Sequence, residues 1–218
     1  MNHKVLFMQE TQASLQTLQD IKKIMERSSR FISLSGWSGI SAGLCALAGA
    51  FVAHEKIKAS GSDTEILRDE YVVPLRGISL INELVLVAAI VFVAAFVSAF
   101  FFTYMRSKKN NLPLWDSVSR RLMWNVVIPL GAGAACIIKI LQVEAFGLVA
   151  PLCLVFYGLA LLNASKYTLG EIRYLAFGQL VLGIICLWMP GYGLYFWAIG
   201  FGVLHIVYGI WMWWKYER

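Results

Sequence analysis

Five side chains able to carry chemistry lie inside apolar runs of this chain: Glu83, Asn125, Lys139, Gln179 and His205. A charged or strongly polar group within a membrane span is costly unless it faces the bundle interior or water, so each is a candidate functional residue. Glu83 and Lys139 sit near the same end of two antiparallel runs, at similar depth. They can pair across helices, fixing register or forming a gate, although desolvation leaves such a pair little net stabilisation. The alternative is that Lys139 snorkels to the surface and Glu83 is interfacial.

Asn125 precedes Lys139 by 14 residues, which puts the two within about 40° of each other on a helix of 3.6 residues per turn. Ala132 and Cys136 lie between them on that face, Pro129 frees a backbone carbonyl nearby, and Gly131 and Gly133 loosen the same turn. This pattern predicts a kinked, cavity-lining helix.

His205 stands in the middle of the last apolar run, with Ala198, Phe201, Gly202, Tyr208 and Gly209 on its face. Buried there, a histidine can bind a proton near neutral pH, ligate haem, or serve as a structural group bonded to Gln179, to a backbone carbonyl or to Tyr157. Haem calls for a second histidine at compatible depth, and His3 and His54 lie outside the apolar runs, so no cofactor is expected. Cys45, Cys136, Cys153 and Cys186 have no metal-ligand spacing and read as small packing residues, so no metal is expected. There is no HExxH, GxSxG or phosphate-binding loop, and the acidic pair Asp69-Glu70 lies in a polar loop, so the expectation is that the protein is not an enzyme.

The elements that hold these residues follow from composition. The chain is 59% hydrophobic and 15% charged, against an apolar share of roughly 45–50% in soluble domains. The expected fold is all-α: a polytopic integral membrane protein with six transmembrane helices in three hairpins, preceded by a cytoplasmic amphipathic helix. The spans fall at about 31–53, 78–105, 122–142, 146–163, 174–189 and 194–214, several close to the ~20 residues that cross a hydrocarbon core. The last two reverse at Pro190-Gly191-Tyr192-Gly193 and end in Trp211, Trp213, Trp214, Lys215 and Tyr216, an aromatic and basic interface. Residues 6–30 lack Gly and Pro and space Leu15, Leu18, Ile21 and Met25 helically. Lys22, Lys23, Arg27 and Arg30 suit docking on anionic head groups, self-association, or simple packing on the bundle. Ser35, Gly39 and Gly43 form a small-residue row, either a helix-packing face or a partner surface.

Basic residues set the orientation. Fourteen of the 19 Lys and Arg fall on the side that holds both termini, and Lys56, Lys58, Arg68 and Arg76 mark the loop between the first two spans. The positive-inside rule makes both termini cytoplasmic, in a plasma (inner) membrane of bacterial type. The net charge of +6 is thus explained by span flanks, and no nucleic-acid partner is expected. The first apolar run begins near Phe31, behind a long polar segment, so a cleavable signal peptide is not expected.

Gly133 and Cys136 recur at Gly183 and Cys186, and Tyr157-Gly158 at Tyr208-Gly209, a parallel hairpin repeat or a product of membrane composition. This Gly-rich pattern of the second half resembles the small acid-resistance membrane proteins built from repeated hairpins; no specific motif accompanies it, and the resemblance implies neither an activity nor a site. The expected function is a non-enzymatic membrane-embedded sensor or assembly subunit. Its partners are the lipid bilayer and either another copy or a second membrane protein, engaged through residues 6–30 and the first span. The alternative is a small-solute or ion transporter with a polar route past Glu83, Lys139 and His205.

Overall fold

A computed structural model describes residues 35–59, 78–110 and 115–218. The expected amphipathic helix at 6–30, the first residues of the first span and most of the loop between His54 and Gly77 lie outside the described residues. Among the described residues all regular structure is helical. In chain order these are α1 (Gly36–Ala59), α2 (Ile78–Lys109), α3 (Ser117–Gln142), a 3-10 turn (Phe146–Leu148), α4 (Val149–Ala164), α5 (Ile172–Leu187) and α6 (Gly193–Tyr216). α6 is one helix with a π-helical stretch, Ala198–Leu204, in its middle. Five of these segments are long and apolar enough to cross a membrane, and α5 is a shorter apolar helix of 16 residues. The chain is therefore an all-helical membrane protein.

Several boundaries differ from the sequence expectation: α2 runs on to Lys109, α5 is shifted to Ile172–Leu187, Ser35 precedes α1, and two further differences have a visible cause. α1 continues through His54, Glu55, Lys56 and Lys58 to Ala59, because no Gly or Pro interrupts it and Lys56 Nζ meets the Glu83 carboxylate at 2.7 Å. α3 begins five residues before Leu122, because Asp116 caps it: Oδ1 accepts the Ser119 N–H at 2.7 Å and the Ser119 hydroxyl at 2.9 Å. The Ser119 backbone bond holds the Asp116 carboxyl below its ordinary pKa.

The helices are arranged around α1 and α4. α1 packs against α2 on one side and α6 on the other, and α4 packs against α3 and α5. Close approach of α1 to α6 is made by glycine: a Cβ on Gly209 would lie 2.6 Å from the Gly36 carbonyl oxygen, and one on Gly39 would lie 3.1 Å from the Gly209 Cα. Gly43 faces the Gly202 carbonyl in the same way. The small-residue face read from the sequence is thus filled by α6 of the same chain, with Ser35 buried at its foot.

The final pair of helices meets differently from a tight hairpin. The α5 backbone lies closest to α4, and α5 reaches α6 mainly through side chains, with Ile172 and Leu175 set against Tyr208 and Met212. Three polar ties fasten helix ends. At the end of the bundle where α1 starts, Glu217 accepts from the Gly36 N–H at 2.6 Å, the Ser35 hydroxyl at 3.1 Å and Arg106 of α2 at 3.0 Å. An anion at a helix N-terminus is favourable for α1. Nearby, Glu171 takes Lys215 and the Tyr216 hydroxyl. The third tie is Lys56–Glu83, at the opposite end.

Candidate functional site

The π-helical stretch of α6 is where the buried polar residues meet. A π turn carries an extra residue, which displaces the local backbone and leaves its carbonyls available to side chains. Gln179 on α5 is fully buried, and its Nε2 donates to the Gly200 carbonyl at 2.8 Å. His205 Nδ1 bonds the same oxygen at 3.0 Å. A carbonyl only accepts, so Nδ1 carries the proton, and Nε2 of the neutral ring accepts the Tyr157 hydroxyl at 2.7 Å. The ring also lies against Phe201, with centroids 6.0 Å apart, and against Tyr157 at 5.4 Å.

Position 200 is closely covered by side chains. A Cβ there would fall 2.4 Å from Leu154 Cδ2 and 2.7 Å from Gln179 Oε1, so a larger residue would make those two side-chain ends shift. Gln179 Oε1 and the Tyr208 hydroxyl are buried with no hydrogen-bond partner among the described residues. The cluster ties α5 to α6 at the Gly200 carbonyl and α4 to α6 through the Tyr157–His205 bond. It has no nucleophile beside a base, and the lone pair of His205 is taken by Tyr157.

The other sequence candidates lie elsewhere. Glu83 pairs with Lys56, not Lys139, in an exposed tie at the ends of α1 and α2. Lys139 is exposed, and its side chain is bonded to no described residue. Asn125 Nδ2 donates to the Arg121 carbonyl at 2.8 Å, one turn back along its own helix. Of the five polar residues, only Gln179 and His205 are brought together. The Cys residues are separate free thiols, and no group of His, Cys, Asp and Glu among the described residues is arranged to hold a metal.

A second feature was not marked by the sequence candidates. In the half of the bundle that contains the α1–α2 connection, a cleft of about 570 Å³ lies between α1, α2, α4 and α6. Ala50 and Ala53 of α1, Ala88 and Val91 of α2, Val149 of α4 and Trp197 of α6 are among the residues that line it. His54 and Lys58 stand on its α1 side. A smaller cavity of about 170 Å³ shares Ile81, Val85, Leu141 and Phe146 with it and adds Asn82 and Glu144. α2 packs against α1 and has at most marginal contact with any other described helix, while α3 packs against α4, so no described helix closes the side between them. The sequence signal for the cleft is the small lining residues Ala50, Ala53 and Ala88, whereas at Gly49 the Val91 side chain already fills the place of a Cβ.

These features define an all-helical membrane protein with a closed polar node and an open apolar cleft. Compared with known protein families, with curated proteins and with solved structures, the chain matches none.

Proposed function

We propose that the chain is a non-enzymatic integral protein of a bacterial-type inner membrane, with six spans and both termini cytoplasmic, that acts as a membrane-embedded sensor or assembly subunit. The observation that carries this reading is the sharing of the Gly200 carbonyl by Gln179 and His205. The two most buried polar candidates each direct a donor at one internal backbone oxygen, which fastens packed helices instead of lining a path for a moving solute. A transport route past Glu83, Lys139 and His205 needs those three on one path. Glu83 lies at an exposed helix end, Lys139 on an exposed face and His205 in a sealed contact.

Six spans are supported by the alternation of the polar ties. The start of α1 and the ends of α2 and α6 meet at Glu217, and the start of α5 meets the end of α6 at Glu171. Aromatic residues mark both ends of this arrangement, with Tyr174 stacked on Trp211 at one and Trp188 exposed at the other. The basic side at the termini gives the orientation.

With the Gly39–Gly43 face occupied by α6, an assembly role rests on the segment before α1. The test is the mass of the full chain and of a chain lacking residues 1–27, measured by light scattering in detergent. A smaller oligomer for the shortened chain supports the assembly role. An unchanged mass counts against it, and solute flux into proteoliposomes abolished by H205A would restore the transport alternative.

A further inference from the structure

We propose that the cleft between α2 and α4 holds one acyl chain of a membrane phospholipid, with the lipid phosphate at Lys58. This goes beyond the role proposed above and does not depend on it, since a bound lipid serves a sensor, an assembly subunit or a transporter alike.

Three observations carry it. The first is shape: a cleft of about 570 Å³ falls within the roughly 300–1,000 Å³ of small-molecule sites, and it is longer than a packing defect. Its lining runs from Gly49 to Lys58 along α1 and from Ile81 to Val91 along α2, about three turns of each helix. An alkyl chain has that elongated form.

The second is chemistry. The walls are Ala, Val, Leu, Ile, Gly and aromatic side chains, with the charged and imidazole groups gathered at the end of α1. Apolar walls inside a membrane give no preference for water, and the cleft is open on the side that no described helix closes. A lipid tail enters from the bilayer without crossing a polar barrier.

The third is charge. Four ionisable groups, His54, Glu55, Lys56 and Lys58, lie at this end of α1, with Glu83 and Glu144 nearby. Lys56 is neutralised by Glu83 at 2.7 Å. Glu55 is on α1 but does not border the cleft, and Glu144 borders only the smaller cavity. Lys58 borders the cleft itself, is exposed and is bonded to no described residue, and His54 stands one turn before it on the same helix. A cation at the polar end of an apolar slot is complementary to a phosphodiester at the head of an acyl chain. A fatty acid carboxylate would offer Lys58 an anion as well. The bilayer onto which the cleft opens is built of phospholipid, which is why the assignment is to a phospholipid, and the retained mass separates the two.

The test uses the full chain purified in a maltoside detergent. Native mass spectrometry counts the phospholipid retained, and titration with dioleoyl-phosphatidylglycerol measures its affinity. About one phospholipid per chain is expected at this cleft, whose volume of about 570 Å³ suits one acyl chain. Ala88→Trp and Val149→Trp fill the cleft from opposite walls, and each should weaken binding about tenfold or more by steric exclusion. Lys58→Ala should weaken it about fivefold. Ala132→Trp, on an exposed face of α3, should leave it unchanged. Two wall variants are used so that one which fails to fold, judged by gel filtration, does not decide the result. Retention that survives both wall substitutions overturns the site. So does a chain that retains no lipid, as it would if residues 60–77 fill the cleft. Loss with the wall variants but none with Lys58→Ala overturns the phosphate contact and with it the choice of a phospholipid.

Discussion

Gln179 and His205 donate to one oxygen, the carbonyl of Gly200, at 2.8 and 3.0 Å. Gly200 and His205 both belong to α6, so the Gln179 bond is the one that ties α5 to α6, and the His205 bond orients the ring within α6. The contributions are unequal. Gln179→Leu removes one hydrogen bond but also removes the unpartnered Oε1, so the net loss should be about 0.6 kcal/mol, the usual scale for such bonds in a membrane. His205→Leu leaves the buried Tyr157 hydroxyl without its acceptor and should cost about 1–3 kcal/mol. Unfolding in a denaturing detergent series measures both. A Gln179→Leu variant as unstable as His205→Leu would contradict the shared-acceptor account. Because each variant leaves the carbonyl one donor, the double variant should lose more than the sum.

Glu217 should be the most sensitive of the end ties. Its carboxylate serves three donors, and its side chain and that of Arg106 are only 15% and 12% exposed. Glu217→Ala removes the acceptor from the α1 N-terminus and the counter-charge from Arg106 together, which should cost about 2–3 kcal/mol. Glu217→Gln keeps an acceptor for Gly36 and should recover part of that. Thermal stability of the two variants by fluorescence-detected gel filtration distinguishes them; equal losses would mean that charge alone matters there.

Much of this architecture was legible in the sequence because the bilayer allows few alternatives. An apolar run near twenty residues becomes a helix, since its backbone groups must be satisfied internally. The ends were less legible. α1 overran its expected boundary because the polar residues after Ala53 are good helix formers and Lys56 has a partner on α2, which the hydropathy of α1 does not reveal. Glu83 was readable either as a partner of Lys139 or as an interfacial residue, and depth alone did not reveal that its partner is Lys56. His205 and Gln179 were visible as buried polar groups. Their meeting at Gly200 was not, because it depends on a π turn whose sequence, Ala198 to Leu204, is ordinary for a membrane helix. The cleft was hidden for a related reason: it is made by helices parting, and no residue type announces a gap.

Acid should weaken the tie at the start of α5. Burial raises the Glu171 pKa, but the Lys215 and Tyr216 bonds outweigh it and hold the carboxyl below its ordinary 4.5. A folded-state pKa below the unfolded value adds stability that is fully present above the unfolded value and is lost as the pH falls through the folded one. The difference in Tm between the natural chain and Glu171→Gln should therefore be constant above about pH 5.5 and shrink below 4.5. Because Lys215 is half exposed, the difference should also fall with added salt. A difference that grows on acidification would reverse the sign of the assignment.

Lys139 tests whether an exposed charge within a span has a role at all. Its side chain is bonded to no described residue, one turn from the end of α3, where a lysine extends its ammonium toward the interface and covers apolar surface with its stem. Lys139→Met keeps the stem and removes the charge, so stability should change by less than about 0.5 kcal/mol. Glu83→Gln breaks an exposed pair and should cost no more than about 1 kcal/mol. If the two substitutions are instead strongly destabilising and not additive, the residues are coupled in a way the Lys56–Glu83 contact does not explain.

Two glycines with opposite surroundings give the sharpest test of helix packing. A Cβ on Gly209 would sit 2.6 Å from the Gly36 carbonyl oxygen and 2.7 Å from the Ile40 nitrogen, both backbone atoms that cannot rotate aside. Gly209→Ala must therefore push α6 from α1, and overpacking of this kind costs about 1–3 kcal/mol. The displacement also strains Gly36 and Gly39, whose nearest neighbours are the same stretch of α6. Gly131, by contrast, has nothing within 4 Å of the position of an added Cβ. Gly131→Ala adds a methyl to an open face of α3 and restricts the backbone, so stability should stay level or rise by up to about 1 kcal/mol. Melting curves for the two variants in the same detergent decide the matter. A destabilising Gly131→Ala would mean that α3 has a partner on that face, and a harmless Gly209→Ala would mean that α1 and α6 are not in the contact described.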